Sequence, residues 1–472
     1  MTKYTYALAG ILGLVLCVIV SCKKFVQIDP PDSEIVSASV FSSSGAATSA
    51  MTSIYSQMNQ DSYNMSSYCG LLADELNDSF STDVSLRAFY SNTMNANVTS
   101  GEWNNAYSYI YQVNAILEAL NGNTAIAPAI IRQLQGESKF LRAFWYFYLT
   151  NCYGDVPLAT TTDYKVNALL SRSAKDKVYQ QIIGDLKDAV SLLNGNYVDG
   201  SDTTITQDRV RPTKWAAMAL LARTYLFMGD YSNAESESDS VINNTGMFNI
   251  VDSLGQVFLA NSREAIWQLG IPTPTSINTF DGWAYILIAA PVDGPNNTFT
   301  INNRLLNSFE MGDKRMTDWI GAYTTTSAPF TTYYFPYKYQ VYQSSNVTEN
   351  VMMLRLAEQY LIRAEAKIQQ RHDITGAIAD INTIRHRAGL PDYSGGTDKL
   401  SLLTEILHQR QDELFTEWGH RWFDLIRTQS ADSVMSIVTP SKGGVWDAHC
   451  KLFPIPQTER NIDINLSQNT GY

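Results

Sequence analysis

The 472-residue chain is short of charge, cysteine and histidine. Lys, Arg, Asp and Glu together supply only 17% of it, against about 25% in ordinary soluble domains. Acids outnumber bases by 46 to 34, a formal charge of −12, and no basic stripe is present. That excludes a nucleic-acid partner held through its phosphates. Of the five cysteines, Cys69, Cys152 and Cys450 lie beyond Cys22. They form an odd, widely spaced set with neither a disulfide framework nor zinc spacing, and whether two of them are bridged stays open. There is no Gly-x-Ser-x-Gly, no His-Glu-x-x-His, no phosphate-cradling glycine loop and no dinucleotide fingerprint. The five histidines include His408, followed at i+4 by Asp412. That spacing could begin a metal site, but the surrounding run of alternating charge accounts for Asp412 as surface charge. Asp74 and Glu75 are adjacent, and neighbours on a helix point apart, unlike the facing carboxyl pair of a glycosidase. These absences point away from an enzyme and imply no cofactor and no metal.

What is present begins at the N-terminus. Lys3 is the only charge before Lys23, and Tyr4 to Val20 is almost wholly apolar. A charged start followed by an apolar run reads as a secretory signal, residues 1–21. The run ends Ile19-Val20-Ser21-Cys22, which resembles the bacterial lipobox. That resemblance implies lipidation of Cys22 and cleavage before it. Two or three acyl chains anchor stably, at about 0.8 kcal/mol for each buried methylene. Pro30, Pro31 and a serine-rich stretch to Ser44 make residues 22–45 read as a tether rather than a packed element.

The body is helical. Gly136 to Tyr153, GESKFLRAFWYFYLTNCY, carries Phe140, Leu141, Phe144, Tyr148 and Cys152 at helical spacing, then stops at Gly154-Asp155-Val156-Pro157. Val178 to Leu193 is a second amphipathic helix. Thr213 to Asn243 places Leu221, Ala222 and Tyr225 before Gly229-Asp230-Tyr231 and Ala234. This resembles a tetratricopeptide unit, and Ala364, Ile368, Ala377 and Ile381 repeat the pattern more weakly. Asn249 to Lys338 reads as long loops with strand-like pieces at 264–269 and 285–289. Gln409 to Arg427 reads as one helix, with Arg410, Glu413, Glu417, Arg421, Asp424 and Arg427 forming an exposed ion-pair ladder. Arg142, Asp155, Arg385 and Arg387 are expected to make internal pairs.

Taken together, these stretches resemble the SusD/RagB family of surface glycan-binding lipoproteins. The matching pieces run in order along nearly the whole chain: CKKFVQIDPP at 22–31, ADEL at 73–76, WNNAYSYIYQVNAIL at 103–117, GESKFLRAFWYFYLTNCYGDVPL at 136–158, RPTKWAAMALLARTYLFMGDYSNA at 211–234, DKR at 313–315, LRLAEQYLIRAEAK at 354–367, INTIRHRAGLP at 381–391, the charged stretch at 409–427, FPIPQTE at 453–459 and QNTGY at 468–472. The resemblance implies a mainly α fold with tetratricopeptide-like helix pairs, an N-terminal region 46–250 and a C-terminal region 251–472 packed closely on it. It further implies a lipid-anchored protein on the outer-membrane surface. Such a protein captures oligosaccharides, or in some relatives peptides, for a SusC-like TonB-dependent transporter.

A sugar needs flat aromatic faces against its C–H surfaces and planar polar groups against its hydroxyls. Two regions offer both. One holds Asn77, Asp78, Phe80, Arg87, Tyr90 and Trp103; the other holds Phe280, Asp281, Trp283 and Tyr285. Asn77, Asp78, Arg87, Tyr90, Trp103, Trp283 and Tyr285 are the candidate ligand contacts. A peptide or glycopeptide ligand and a purely structural scaffold are the alternatives.

Overall fold

The computed structural model describes residues 40–472, apart from 61, 79, 99 and 273–275. The apolar run and Cys22 lie outside the described residues. The first long helix begins at Ser44, and Phe41 is already buried, its carbonyl accepting from Asn123 Nδ2 at 3.0 Å. The last residues of the expected tether therefore pack onto the body.

The long helix Pro128–Tyr153 is the axis of the molecule. Expected to be amphipathic, it is instead buried nearly all round from Gly136 onward, because Trp145, Tyr146 and Phe147 fill the sides that Phe140, Phe144 and Tyr148 leave. Glu102–Leu120 and Lys175–Leu192 both pack against it. Gly154 ends it at φ 75°, a conformation that costs glycine little. The first tetratricopeptide-like pair is Lys214–Met228 and Tyr231–Ile242, turned by Gly229 in the left-handed region. The second is Leu356–Gln370 and Ile374–Arg387, and the two pairs stack directly. Ala222, Ala234, Ala364 and Ala377 are fully buried, small side chains that let the helices approach closely. One continuous core runs from Phe41 to Leu466, through residues of both halves of the chain.

Strand is scarce. The described residues form four antiparallel pairs: β1 (Leu76–Asn77) with β5 (Thr300–Ile301), β2 (Val156–Pro157) with β3 (Arg172–Ser173), β4 (Ala265–Leu269) with β8 (Val351–Arg355), and β6 (Ile320–Thr324) with β7 (Thr332–Pro336). The strand expected at 264–269 is β4. The one expected at 285–289 is not formed: Phe280–Tyr285 is a short helix, capped by Thr279 Oγ1 accepting from Gly282 N at 3.0 Å.

The charged stretch 409–427 departs most from its sequence reading. The helix stops at Leu414 and a new one starts at His420. Thr416, Trp418 and Gly419 between them have positive φ. The charges do not form an exposed ladder. Arg410, Glu413, Glu417 and Asp424 are buried, and Arg410 reaches Asp424 across the break at 2.7 Å. Asp412, expected at the surface, is fully buried. The fold turns the alternating pattern inward, where most of these charges meet a partner from a distant segment. Arg142 pairs with Asp185 (2.6 Å), Arg385 with Glu405 (2.9 Å) and Arg387 with Glu264 (3.0 Å). Asp155 accepts from the backbone N of Lys175 at 2.9 Å. Cys69, Cys152 and Cys450 are all free thiols, buried in the core.

Candidate functional site

The fold sets the segment around Asn77 against residues 293–302 from the other half of the chain. β1, which follows the helix Ser62–Leu72, pairs with β5, with Leu76 opposite Ile301 and Asn77 opposite Thr300. Asn77 Nδ2 donates to the Ile301 carbonyl at 3.0 Å, and its Oδ1 accepts from Asn302 Nδ2 at 2.8 Å. The loop after β1 is tied by Asp78, whose Oδ1 accepts from Ser81 N at 3.0 Å, and by Arg87 Nη1 donating to the Ser81 carbonyl at 3.3 Å. Asp83 then caps the helix Val84–Tyr90. The opposing loop, 286–299, curls around Asn297, whose Oδ1 accepts from Ile288 N at 2.8 Å and Ala289 N at 3.2 Å. Thr82 joins the loops: its N and its hydroxyl both donate to the Asp293 carboxylate, the former at 2.9 Å.

Between them lies a cleft of about 420 Å³. Tyr63, Tyr68 and Leu86 give it apolar faces; Asn64, Ser81, Thr82, Asp83 and Asp293 give it a polar rim. Phe280 stacks on Tyr63, with ring centres 6.3 Å apart. Beside the cleft the β6–β7 hairpin raises an aromatic wall. Phe80, 37% exposed, meets Tyr333 edge-on at 6.1 Å, and Tyr334 and Phe330 are exposed along the same hairpin. A concave site with apolar walls and a few convergent polar groups is the usual form of a ligand pocket, and here it is carried on irregular loops over a rigid helical body.

The candidate residues fall into different positions. Asn77, Asp78 and Arg87 shape the loop rather than line the cleft. Tyr90 lies under the Lys442 ammonium, 5.5 Å from its ring centre. Trp103 lies in the core. It borders a separate groove with Tyr107 and Tyr111, but at 3% exposure it is wedged between Tyr107 and Tyr153, with ring centres 4.9 and 5.0 Å away, and keeps almost no ring surface for a sugar. Tyr285, also 3% exposed, sits behind the cleft lining with its hydroxyl 2.9 Å from Ser67 Oγ. Trp283 stands in the short helix, half-buried and edge-on to Phe280 at 6.3 Å, outside the cleft lining. The cleft lining adds Tyr63, Asn64 and Tyr68, which the sequence reading does not name. Their signal was present: a short helix before ADEL, rich in serine and tyrosine rather than aliphatic residues.

Under the loops lies a buried ionisable layer. Burial works against the Asp74 carboxylate, but Arg421 at 2.7 Å outweighs it and holds Asp74 below its usual value. Glu75 has no such partner: burial, then the Asp74 charge, pushes it up to about 8. Burial also raises Asp281 to about 7 and pulls Lys442 down to about 7. Both Asp74 and Glu75 are sealed from solvent, so they offer no carboxyl pair to a glycosidic bond. His408 is engaged too. Its Nε2 lies 3.0 Å from Asp412 and 2.8 Å from the Ser308 carbonyl, and bonding to Asp412, then Glu405, raises it to about 10. Glu310, Glu405 and His408 could converge on an ion, but Arg385 already spans the two glutamates.

Among the described residues, no helix is long and apolar enough to cross a membrane. A family profile described as "Starch-binding associating with outer membrane" matches residues 26–226, and a second, described as "SusD family", matches residues 320–472. The SusD-like protein P38 of Formosa agariphila is 26% identical, across 76% of this chain and 79% of its own. The starch-binding protein SusD of Bacteroides thetaiotaomicron is 24% identical, across 77% and 76%. A solved structure described as "Laminarin binding SusD-like protein" superposes with a TM-score of 0.74 at 22% identity, covering 90% of this chain and 99% of that one, which shows the shared fold. With its mainly α body, its stacked tetratricopeptide-like pairs and both ends matched by the profiles, the chain belongs to the SusD/RagB family.

Proposed function

We propose that this protein binds a nutrient glycan at the cell surface and hands it to a SusC-like TonB-dependent transporter in the outer membrane, to which it is anchored through Cys22. It performs no chemistry on the glycan. One observation carries the binding reading: two loops from distant parts of the chain close on a single cleft with aromatic walls and a hydroxyl and carboxylate rim. The starch-binding and laminarin-binding names of its relatives support the same ligand class. Capture is by shallow stacking on Tyr63, Tyr68 and the Phe80–Tyr333 wall, with hydroxyls bonded along Asn64, Thr82, Asp83 and Asp293. Asn77, Asp78 and Arg87 act by holding the loop. Residues 1–21 are the signal, 22–45 the tether, its last residues packed on the body from Phe41, and 46–250 and 251–472 the two regions of the body.

Affinity electrophoresis of the chain from Lys23 onward, through gels holding starch, laminarin, a mucin or an acidic polysaccharide, tests this. One glycan is expected to retard it. Each aromatic contact contributes about 1 kcal/mol. The double variant Phe80→Ala, Tyr333→Ala is therefore expected to bind at least about ten-fold more weakly, at about 1.4 kcal/mol per decade. Retardation by none of the glycans, with binding of peptides instead, would replace the glycan reading.

A further inference from the structure

A second cleft, of about 430 Å³, shares no lining residue with the first. Arg209 and Arg263 border it, together with Asn196, Gln207, Asn244 and Asn261. Arg209 is only 6% exposed. Its Nη1 donates to the Ala265 carbonyl at 2.6 Å and to the Tyr197 hydroxyl at 3.4 Å, and its Nη2 to the Met247 carbonyl at 2.7 Å. The guanidinium lies against the rings of Tyr197 and Phe248, at 5.2 and 5.4 Å. Arg263 Nη2 donates to the carbonyls of Thr245 (2.9 Å) and Gly246 (3.3 Å).

Among the described residues, no carboxylate lies within ion-pair distance of either arginine. Every other buried arginine there, from Arg142 on Asp185 to Arg410 on Asp424, ends on one. Asp208, adjacent in sequence, instead accepts at Oδ1 from Asn261 Nδ2 at 2.8 Å. Carbonyl dipoles position Arg209 without cancelling its charge, and a buried uncompensated charge is costly. Burial accordingly pulls Arg209 below its usual value, and the nearby Arg263 charge adds to this. The fork is incompletely used. Its Nε and one Nη2 hydrogen have no partner among the described residues. Unlike Nε of Arg211 and of Arg387, that Nε is not sealed from solvent.

An arginine edge with two free donors matches a planar pair of oxygens roughly 2 to 2.5 Å apart, as in a carboxylate or a sulfate ester. The amides of Asn196, Gln207 and Asn244 around it suit hydroxyl groups. We propose that this cleft is a second ligand site, taking an acidic sugar through its carboxylate or sulfate group. The oxyanion part stands on the arginines alone; the sugar part rests on the glycan-binding reading above.

Calorimetric titration of the full-length chain in mild detergent tests it, with glucuronate, glucose-6-sulfate, inorganic sulfate and glucose as separate probes. Glucuronate or glucose-6-sulfate is expected to bind and plain glucose not to bind here. Arg263→Ala is expected to weaken that binding at least ten-fold, raising the salt concentration to weaken it too, and Phe80→Ala to leave it unchanged. Arg209→Lys, with its fold checked by circular dichroism, keeps the charge but loses the fork and is expected to bind more weakly. No binding of any anion, or binding indifferent to Arg263→Ala, overturns the site. Arg263-dependent binding of inorganic sulfate without either acidic sugar overturns the sugar assignment, whatever the fate of the first cleft.

Discussion

Arg355→Met is expected to lower stability by about 3–5 kcal/mol, the usual result of removing one partner from a buried ion network. Arg355 Nε donates to Glu417 at 2.7 Å. Its Nη1 donates to Glu264 at 2.9 Å and to Glu413 at 2.5 Å, and its Nη2 to the Glu413 carbonyl at 2.6 Å. Arg387 holds the other oxygen of Glu264 and shares Glu413 Oε1 with Arg355. Lys338 holds Glu417 at 2.5 Å and lies 3.9 Å from the Phe415 ring centre. All these charges are buried. The methionine would fill much of the volume, so the loss comes from three glutamates left short of positive charge rather than from a cavity. Urea unfolding at pH 7 measures it. Asp188→Ala, at the exposed Lys139–Asp188 pair, is the control, expected to cost about 1 kcal/mol or less. A loss for Arg355→Met no larger than the control's would mean that the network does not hold β4 and β8 to the bend at 415–419.

Glu75→Gln is expected to change how stability depends on pH. Glu75 is held at about 8 in the folded protein by burial and then by Asp74, against an ordinary value of 4.5. Between those values the folded chain carries a proton there that the unfolded chain has lost. The contribution to stability is therefore full below about pH 4.5 and falls as pH rises toward 8. Glutamine cannot ionise, so the variant lacks that fall. From pH 5 to pH 8 the difference is expected to grow in favour of the variant by about 3–4 kcal/mol, at about 1.4 kcal/mol for each pH unit. Asp281, raised to about 7, adds a fall of the same sign, and Lys442, lowered to about 7, adds a rise above that pH. Both act in wild type and variant alike and drop out of the difference. Unfolding free energies at pH 5, 6, 7 and 8 read it directly. Parallel curves for the two proteins would show that Glu75 is ionised in the folded state. The Glu75 carbonyl accepts from Asn302 N at 2.8 Å, beside the β1–β5 pairing, so the same titration bears on the segment that carries the loop after β1.

The helices were legible because their signals are local. Aromatic spacing in GESKFLRAFWYFYLTNCY, the Gly154 stop and the Gly229-Asp230 turn all act within a few residues, and the helices formed where these placed them. The binding region was legible only as chemistry. Asn77 and Phe280 were both singled out, but Asn77 finds its strand partner Thr300 in the other half of the chain, and no local pattern encodes that closure. Trp103 and Tyr285 carry the right side chain for a sugar, yet the core takes both, because a large ring beside a tight helix contact buries more area than it could offer a ligand. Tyr63 and Tyr68 stand in a short serine- and tyrosine-rich stretch whose place beside the loops only the tertiary fold sets.

Helical class, the tetratricopeptide-like pairs, low charge and family all follow from the amino-acid order. Each rests on residue type and on spacing within a turn or two, or on motifs in a set sequence. Which charges face inward, which loops meet and which aromatics keep a free face are matters of three-dimensional packing. The stretch 409–427 shows why: alternating charge describes an exposed ladder and a buried network equally well. The choice between them was made by Glu264, Lys338, Arg355 and Arg387, which arrive from distant segments and supply the counter-charges without which those side chains could not be buried.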